Sequence, residues 1–299
     1  MDWDDLRVFL AVARAESLSG AGRRLGLDPA TVGRRIARLE ERTGARLFLK
    51  SPQGYGLTEE GSKLVPHAEA AEAALMAASE VLTGSAGAGL SGQIRLGAPD
   101  GCANYILPQV IRAICDDNPG LEVQIVALPR VFNLSRREAD LAIGVSRPQA
   151  GRLTVQKLTD YRLHLAAHPA YLASAPPLRG LADLKHHRLV GYIADMIFDK
   201  ELDYLSKLEA STPAMASNSV PVQLNLLRAG AGVGVAHDFA LPFAPELVKV
   251  LPDALGLTRA FWLIRHEDDA HSARLARFAS LLADGIRLEV QRLEAISRA

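Results

Sequence analysis

The 299-residue chain carries 34 Lys+Arg against 34 Asp+Glu, 48 % hydrophobic residues and a mean hydropathy of +0.07. That balance excludes a chain disordered along its whole length, which needs low hydrophobicity and high net charge. Zero net charge also removes any whole-chain electrostatic case for a nucleic-acid or membrane partner. At roughly 150 residues per domain the length predicts about two domains. Cys102 and Cys115 are too few for a disulfide framework or a structural zinc site. Read on one helix they fall on different faces, so both are expected as free, small apolar groups. The acidic start Asp2-Trp3-Asp4-Asp5 lacks the order of a signal peptide, and no apolar run reaches membrane-spanning length. The expected location is the cytoplasm, with no membrane partner.

Leu6, Phe9, Leu10 and Ala13 recur at helical spacing over residues 4–15. Ser19 is a candidate N-cap for a second helix ending at Leu25, and Gly26 supplies the turn. Asp28 then caps a third helix that begins at Pro29 and stops before Gly44. Three short helices with a tight turn before the third predict a helix-turn-helix. In that third helix Val32, Ile36 and Leu39 form the buried stripe, while Ala30, Arg34, Ala37 and Arg38 face away. Residues 17–50 hold eight basic and three acidic side chains, a local charge of +5 in a neutral protein. That excess is the footprint phosphate binding requires, although a solvated helix face has the same appearance. A strand over Arg46–Lys50, a Gly/Pro-containing turn over Ser51–Gly56 and a return strand at Leu57-Thr58 predict a β-hairpin wing. Thr58 caps the long helix that follows.

The run Leu25-Gly26-Leu27-Asp28-Pro29-Ala30-Thr31-Val32-Gly33-Arg34-Arg35-Ile36, then Leu39-Glu40-Glu41-Arg42-Thr43-Gly44, Arg46-Leu47-Phe48 and Leu57-Thr58-Glu59-Glu60-Gly61, resembles the winged helix-turn-helix of LysR-type transcriptional regulators. The resemblance is strong over residues 1–65 and looser beyond. Gly20 and Gly22 stand where the family usually has alanine, at about 1 kcal/mol each in helix propensity, and Gly33 stands where it usually has serine. The resemblance implies an α+β multidomain fold. It comprises a winged helix-turn-helix (1–58), a linker and dimerisation helix (59–84), a hinge (85–91) and an effector domain (92–299) like periplasmic binding proteins. Lobe I of that domain would be 92–146 with 258–299, and lobe II 147–257. The implied function is a regulator that binds double-stranded promoter DNA and is switched by a small-molecule effector between the lobes, with RNA polymerase as a candidate partner. Ser19, Pro29, Thr31, Arg34, Arg35, Arg38, Arg46, Lys50, Gln53 and Tyr55 are the expected DNA contacts.

Leu64, Ala68, Ala71, Leu75, Ala78 and Leu82 are spaced as a heptad seam. Two readings fit it: pairing with the same helix of a second copy, or packing on the helix's own domain. The resemblance favours a dimer through this helix and a homotetramer overall. Thr83–Gly92 reads as a flexible linker.

Beyond it, strands are expected at Gln93–Ala98, Glu122–Leu128, Ala139–Val145, two within Arg152–Ala167, Gly232–Ala236 and Leu257–Arg265. Helices are expected at Ala103–Asp116, Asn218–Ala229 and Ser272–Ile296. Such alternation predicts α/β architecture with mostly parallel sheets. The resemblance implies a cleft between the two lobes at the carboxyl ends of the strands, with Gly191 and Tyr192 where members of the family contact ligand. Its candidate lining is Asp100 and Gly101, Pro129 and Arg130, Ser146 and Arg147, Gly191 and Tyr192, and Ser217, Asn218 and Ser219. Asp100 is expected either to cap the helix after the first strand or to touch a ligand, and as an anion it disfavours a carboxylate effector and favours a cationic, amine-bearing or hydroxylated one. Arg147 is the cation best placed for an anion, or a partner for Asp100.

Rival chemistry is weak. Gly230-Ala231-Gly232-Val233-Gly234 opens a strand, whereas a phosphate loop must open a helix. His164/His168 and His186/His187 do not share a helical face. No catalytic, metal-binding or cofactor residues are proposed. A solute-binding protein leaves the first 90 residues unexplained, and an enzyme with a helical dimerisation domain does not need the +5 segment.

Overall fold

The computed structural model describes residues 2–51, 54–82, 89–127, 139–148, 151–205, 212–267 and 272–297, apart from the side chains of 51, 69, 70, 73 and 76–82. The chain divides into two compact units, Met1–Ala88 and Gly89–Ala299. Among the described residues no helix is long and apolar enough to cross a membrane.

In the first unit, α1 (Trp3–Ala15), α2 (Leu18–Leu25) and α3 (Pro29–Thr43) precede a two-stranded hairpin, β1 (Phe48–Ser51) and β2 (Gly54–Leu57), and α4 (Glu59–Leu82). The expected cap and turn of α3 are both present: Asp28 accepts from the Thr31 amide, and Gly44 follows in the left-handed conformation. Ser19 does not cap α2. Ser17 does, accepting from the Gly20 amide at 3.2 Å, so the helix starts two residues earlier and Ser19 lies exposed in its first turn. Val32, Ile36 and Leu39 are the buried face of α3, joining Val8, Phe9, Leu10 and Val12 of α1 in one core. Thr58 Oγ1 accepts from the Gly61 amide at 2.9 Å and donates to the Arg46 carbonyl, starting α4 and closing the base of the hairpin at once.

The heptad seam of α4 divides. Ala68 is buried in this unit's own core, with Leu64 packed against it, and Glu72 pairs with Arg14 of α1 at 2.7 Å. Ala71 is half-buried, and Leu75 is 46 % exposed. Own-domain packing therefore accounts for the start of the seam. The side chains of Ala78 and Leu82, and hinge residues 85–88, lie outside the described residues. Leu90 already belongs to the second unit, buried in its core with its amide donating to Asn118 Oδ1.

Among the described residues the second unit carries one nine-stranded mixed sheet, β4-β3-β5-β11-β6-β9-β7-β8, with β10 on β6. The strands are β3 (Ser91–Ala98), β4 (Gly120–Ala127), β5 (Leu141–Gly144), β6 (Leu153–Ala167), β7 (Leu189–Gly191), β8 (Met215–Ala216), β9 (Val233–His237), β10 (Val248–Lys249) and β11 (Gly256–His266). Parallel pairing holds at the two ends, β4-β3-β5 and β9-β7-β8. The centre is antiparallel, because β6 and β11 run past each other along nearly their whole lengths. The expectation of mostly parallel sheets is thus corrected, and Arg152–Ala167 is one long strand rather than two. No Gly or Pro interrupts it. The chain passes between the two halves inside β6 and β11: Leu153–Lys157 lies opposite Trp262–His266, whose other edge pairs with β5.

The expected helix Ala103–Asp116 is two helices, α5 (Asp100–Tyr105) and α6 (Leu107–Asp116), broken at Ile106 just ahead of Pro108. Pro108 has no amide hydrogen to donate to the Asn104 carbonyl and its ring crowds that oxygen, so a single helix cannot run through this turn. Cys102 is buried, Cys115 is only partly so, and both are free. Next come α7 (Pro169–Ser174), α8 (Val220–Arg228) and α9 (Ala273–Ile296). Glu294 of α9 accepts from the Arg162 amide at 2.7 Å, fixing that helix on β6.

Gly22 explains one departure from the family pattern. A Cβ there would stand 2.5 Å from the Leu27 carbonyl oxygen, which belongs to the turn between α2 and α3. Gly22→Ala should therefore destabilise the first unit by about 1–3 kcal/mol in urea titration, against the roughly 1 kcal/mol gain that propensity alone expects.

Candidate DNA-binding face and effector cavity

The amino-terminal half of α3 is exposed at Pro29, Ala30 and Arg34. Asp28 organises it. Its carboxylate accepts from the Thr31 amide at 2.9 Å and from the Thr31 hydroxyl at 2.6 Å, and the same hydroxyl accepts from Arg34 Nη2 at 2.9 Å. The Thr31 hydroxyl holds the Asp28 carboxyl below its ordinary pKa. Arg34 is thereby drawn along the exposed face toward the start of the helix.

Other basic residues have structural partners. Arg38 donates to Asp5 through Nε at 3.1 Å and more closely through Nη2, and Arg42 lies 3.8 Å from the same carboxylate. Asp5 is completely buried. A buried carboxylate without a cation is strongly unfavourable, so Arg38 and Arg42 orient α3 against α1. Arg35 lies 3.7 Å from Asp4. Of the remaining expected contacts, Lys50 is exposed opposite Tyr55, Tyr55 is half-buried with its ring edge-on to Phe48, and Gln53 lies outside the described residues.

Glu40 was legible only as a negative charge. Its Oε1 accepts from the Leu47 amide at 2.7 Å and the Phe48 amide at 3.2 Å, while Oε2 lies 3.4 Å from Arg46. It thus fixes where the wing leaves α3. The far side of the wing is held by the Tyr55 amide donating to the Glu16 carbonyl at 2.9 Å. Gly54 permits that approach, since a Cβ would stand 2.5 Å from the same oxygen.

In the second unit a cavity lies at the carboxyl ends of the strands. Pro99–Cys102 line it after β3, Val145 after β5, Tyr192 after β7, Asn218 and Val220 at the start of α8, and His237 and Phe239 at the end of β9. Tyr161 of β6 and Phe261 of β11, stacked at 4.3 Å, come from the two central strands. The volume of the cavity is about 20 Å³. In this conformation it is closed to anything much larger than water.

Asp100 does not cap its own helix. Pro99 occupies that position, and the Asp100 carboxylate instead accepts from the Val220 amide at 3.0 Å, where α8 begins. Desolvation raises its pKa, opposed by bonds from Ser219, Val220 and Gly101. Arg147 is exposed and outside the lining; Asp100 has the α8 amino terminus as its partner. Ser146 donates to Asp199. Gly191 is buried with its carbonyl accepting from the Ser217 amide, and Ser217 Oγ accepts from the Ser219 amide. Of the expected effector residues, Asp100, Gly101, Tyr192 and Asn218 line the cavity, whereas Pro129 and Arg130 lie outside the described residues. The aromatic floor has no local signal, because Tyr161 and Phe261 lie on different strands and only the pairing of β6 with β11 brings them together.

Burial pushes the Cys102 thiol up, so it is no thiolate nucleophile. His237, only 6 % exposed, stacks on Tyr161 and is pushed down to about 4 by desolvation. His164 is engaged elsewhere, pairing with buried Asp238 at 2.8 Å. Among the described residues no cluster of metal-ligating side chains occurs.

Comparison with known proteins accords with this geometry. Residues 3–62 match the bacterial regulatory helix-turn-helix model of the lysR family, and residues 87–287 match the LysR substrate binding domain. The chain belongs to the LysR family of transcriptional regulators, DNA-binding proteins with an effector-binding domain rather than enzymes. It is 33 % identical to the regulator DgdR of Burkholderia cepacia over about half of each chain (50 % and 51 %). It is 23 % identical to CrgA of Neisseria meningitidis over 94 % of this chain and 96 % of that one. Among solved structures, full-length OxyR C199D of Pseudomonas aeruginosa has the same fold with a TM-score of 0.72 at 20 % identity, over 96 % of this chain and 95 % of that one.

The depressed His237 pKa has a testable sign. Between about pH 6.5 and 4 the unfolded chain takes up a proton that the folded chain refuses. This contribution is complete above pH 6.5 and lost as pH falls toward 4, by as much as about 3 kcal/mol. His187, also lowered by burial, has the same sign, so His237→Phe isolates the effect. The variant should lose less stability than the parent over this interval in urea titrations; parallel curves would contradict the assignment.

Proposed function

We propose that α3 enters the major groove of promoter DNA with Pro29, Thr31, Arg34 and Arg35 at or near base edges, while Arg46, Lys50 and the wing meet phosphates and the minor groove. The observation that carries this reading is the Asp28–Thr31–Arg34 chain, which presents an oriented guanidinium on an exposed face of small residues. A guanidinium so held suits bidentate recognition of a base edge. Arg38 serves mainly to position α3. Gly33 leaves the face bare by choice of residue, since a Cβ there meets only Leu18 Cδ1 at 3.4 Å.

The protein acts as a homo-oligomer, dimeric through the outer part of α4 around Leu75 and tetrameric overall, with RNA polymerase as its downstream partner. The exposure of Leu75, beyond the portion of α4 that its own domain covers, supports this. A small-molecule effector binds in the cavity between the halves of the second unit, and the difference in its affinity for the open and closed forms shifts how paired DNA-binding units are placed.

Gel retardation with the promoter region beside its own gene tests the reading. Binding should fall by orders of magnitude between low and moderate salt. Arg34→Ala should weaken it by about 1–3 kcal/mol with an unchanged melting temperature. Retained affinity with the same footprint would refute the role of Arg34.

A further inference from the structure

The start of α8 forms one wall of the cavity. Free amides at a helix amino terminus attract negative charge, and a cavity wall of this kind suits the acidic end of a ligand. Here that position is already filled. Asp100, carried in from the opposite half of the sheet by β3, accepts from the Val220 amide at 3.0 Å. No lysine or arginine is among the described lining residues to neutralise a second anion.

A separate observation concerns the floor. His237 lines the cavity, and its Nδ1 is buried with no hydrogen-bond partner among the described residues. Its Nε2 lies 3.5 Å from the Tyr204 hydroxyl. A buried polar atom without a partner is unfavourable, and a ligand that supplies one removes that penalty. Phe198, Phe239 and Phe261 surround the space with apolar surface.

We propose that Asp100 is a built-in substitute for an anionic ligand, and that this cavity takes a small effector without negative charge whose hydrogen-bonding group meets His237 Nδ1. This rests on the reading of the cavity as the effector site and names the chemical class it accepts. A carboxylate ligand would face Asp100 across a poorly solvated space, where like charges repel far more strongly than in water.

Chemical complementation tests it. In the full chain, Asp100→Ala and Asp100→Ser vacate the space of a carboxylate, and acetate is the matching probe. Both variants should melt a few degrees below the parent, with about 2–4 °C for each kcal/mol lost. Sodium acetate at pH 7 should recover at least half of that loss saturably, whereas acetamide, or sodium chloride at the same ionic strength, should not. A variant too unstable to purify folded should regain helical circular dichroism in acetate. The parent should show no acetate stabilisation beyond that of chloride. Equal stabilisation of parent and variants by acetate, failure of both variants to respond, or a parent stabilised more by acetate than by acetamide would overturn the proposal. Promoter binding by the parent in the same buffer is scored separately. DNA binding with no acetate complementation sinks this inference alone, and complementation without DNA binding sinks the regulator reading alone.

Discussion

The second unit is organised by the antiparallel contact between β6 and β11. Opposite Leu153–His164 stands Gly256–His266, with the register shifting between Phe261 and Trp262. Each half of the sheet attaches its parallel strands to an outer edge of this pair, so both halves inherit their register from it. Tyr161 and Phe261 point from it into the cavity. In a sheet with one packed face, a slip of one residue turns every inward side chain outward, and here it would dismantle the floor on which the cavity rests.

Carboxylates perform the corresponding work in the first unit. Asp5 orients α3 on α1 through Arg38 and Arg42, Asp28 begins α3 and steers Thr31 and Arg34, and Glu40 ties the wing to the same helix. A surface meant for phosphates needs cations held in place. Acids placed behind or beside them supply direction at a modest loss of net positive charge.

Much of this was readable from residue order. The periodicity of Val32, Ile36 and Leu39, the Asp28-Pro29 start and the Gly44 stop are local signals, and α3 follows them. The strand ends that converge on the cavity are likewise legible, and the family resemblance adds which of them meet a ligand, so that Asp100, Gly101, Tyr192 and Asn218 fall in the lining. What escaped was non-local. The partner of Asp100 is 120 positions away, that of Arg38 is 33 positions away, and no spacing rule links such pairs. Arg147 stands at the expected boundary between lobes I and II, but the chain passes between the halves inside β6 and β11, leaving Arg147 at the surface. No spacing marks His237, whose importance comes from burial beside Tyr161.

Glu40 joins three groups in one contact: two backbone amides of the wing and the guanidinium of Arg46. A genetic selection for loss of promoter occupancy would therefore return Glu40 beside Arg34, although its acceptor oxygens are turned toward its own chain. Mutational maps of such regulators mix residues that read the operator with residues that hold the reader's posture, and sorting them requires knowing where each carboxylate faces.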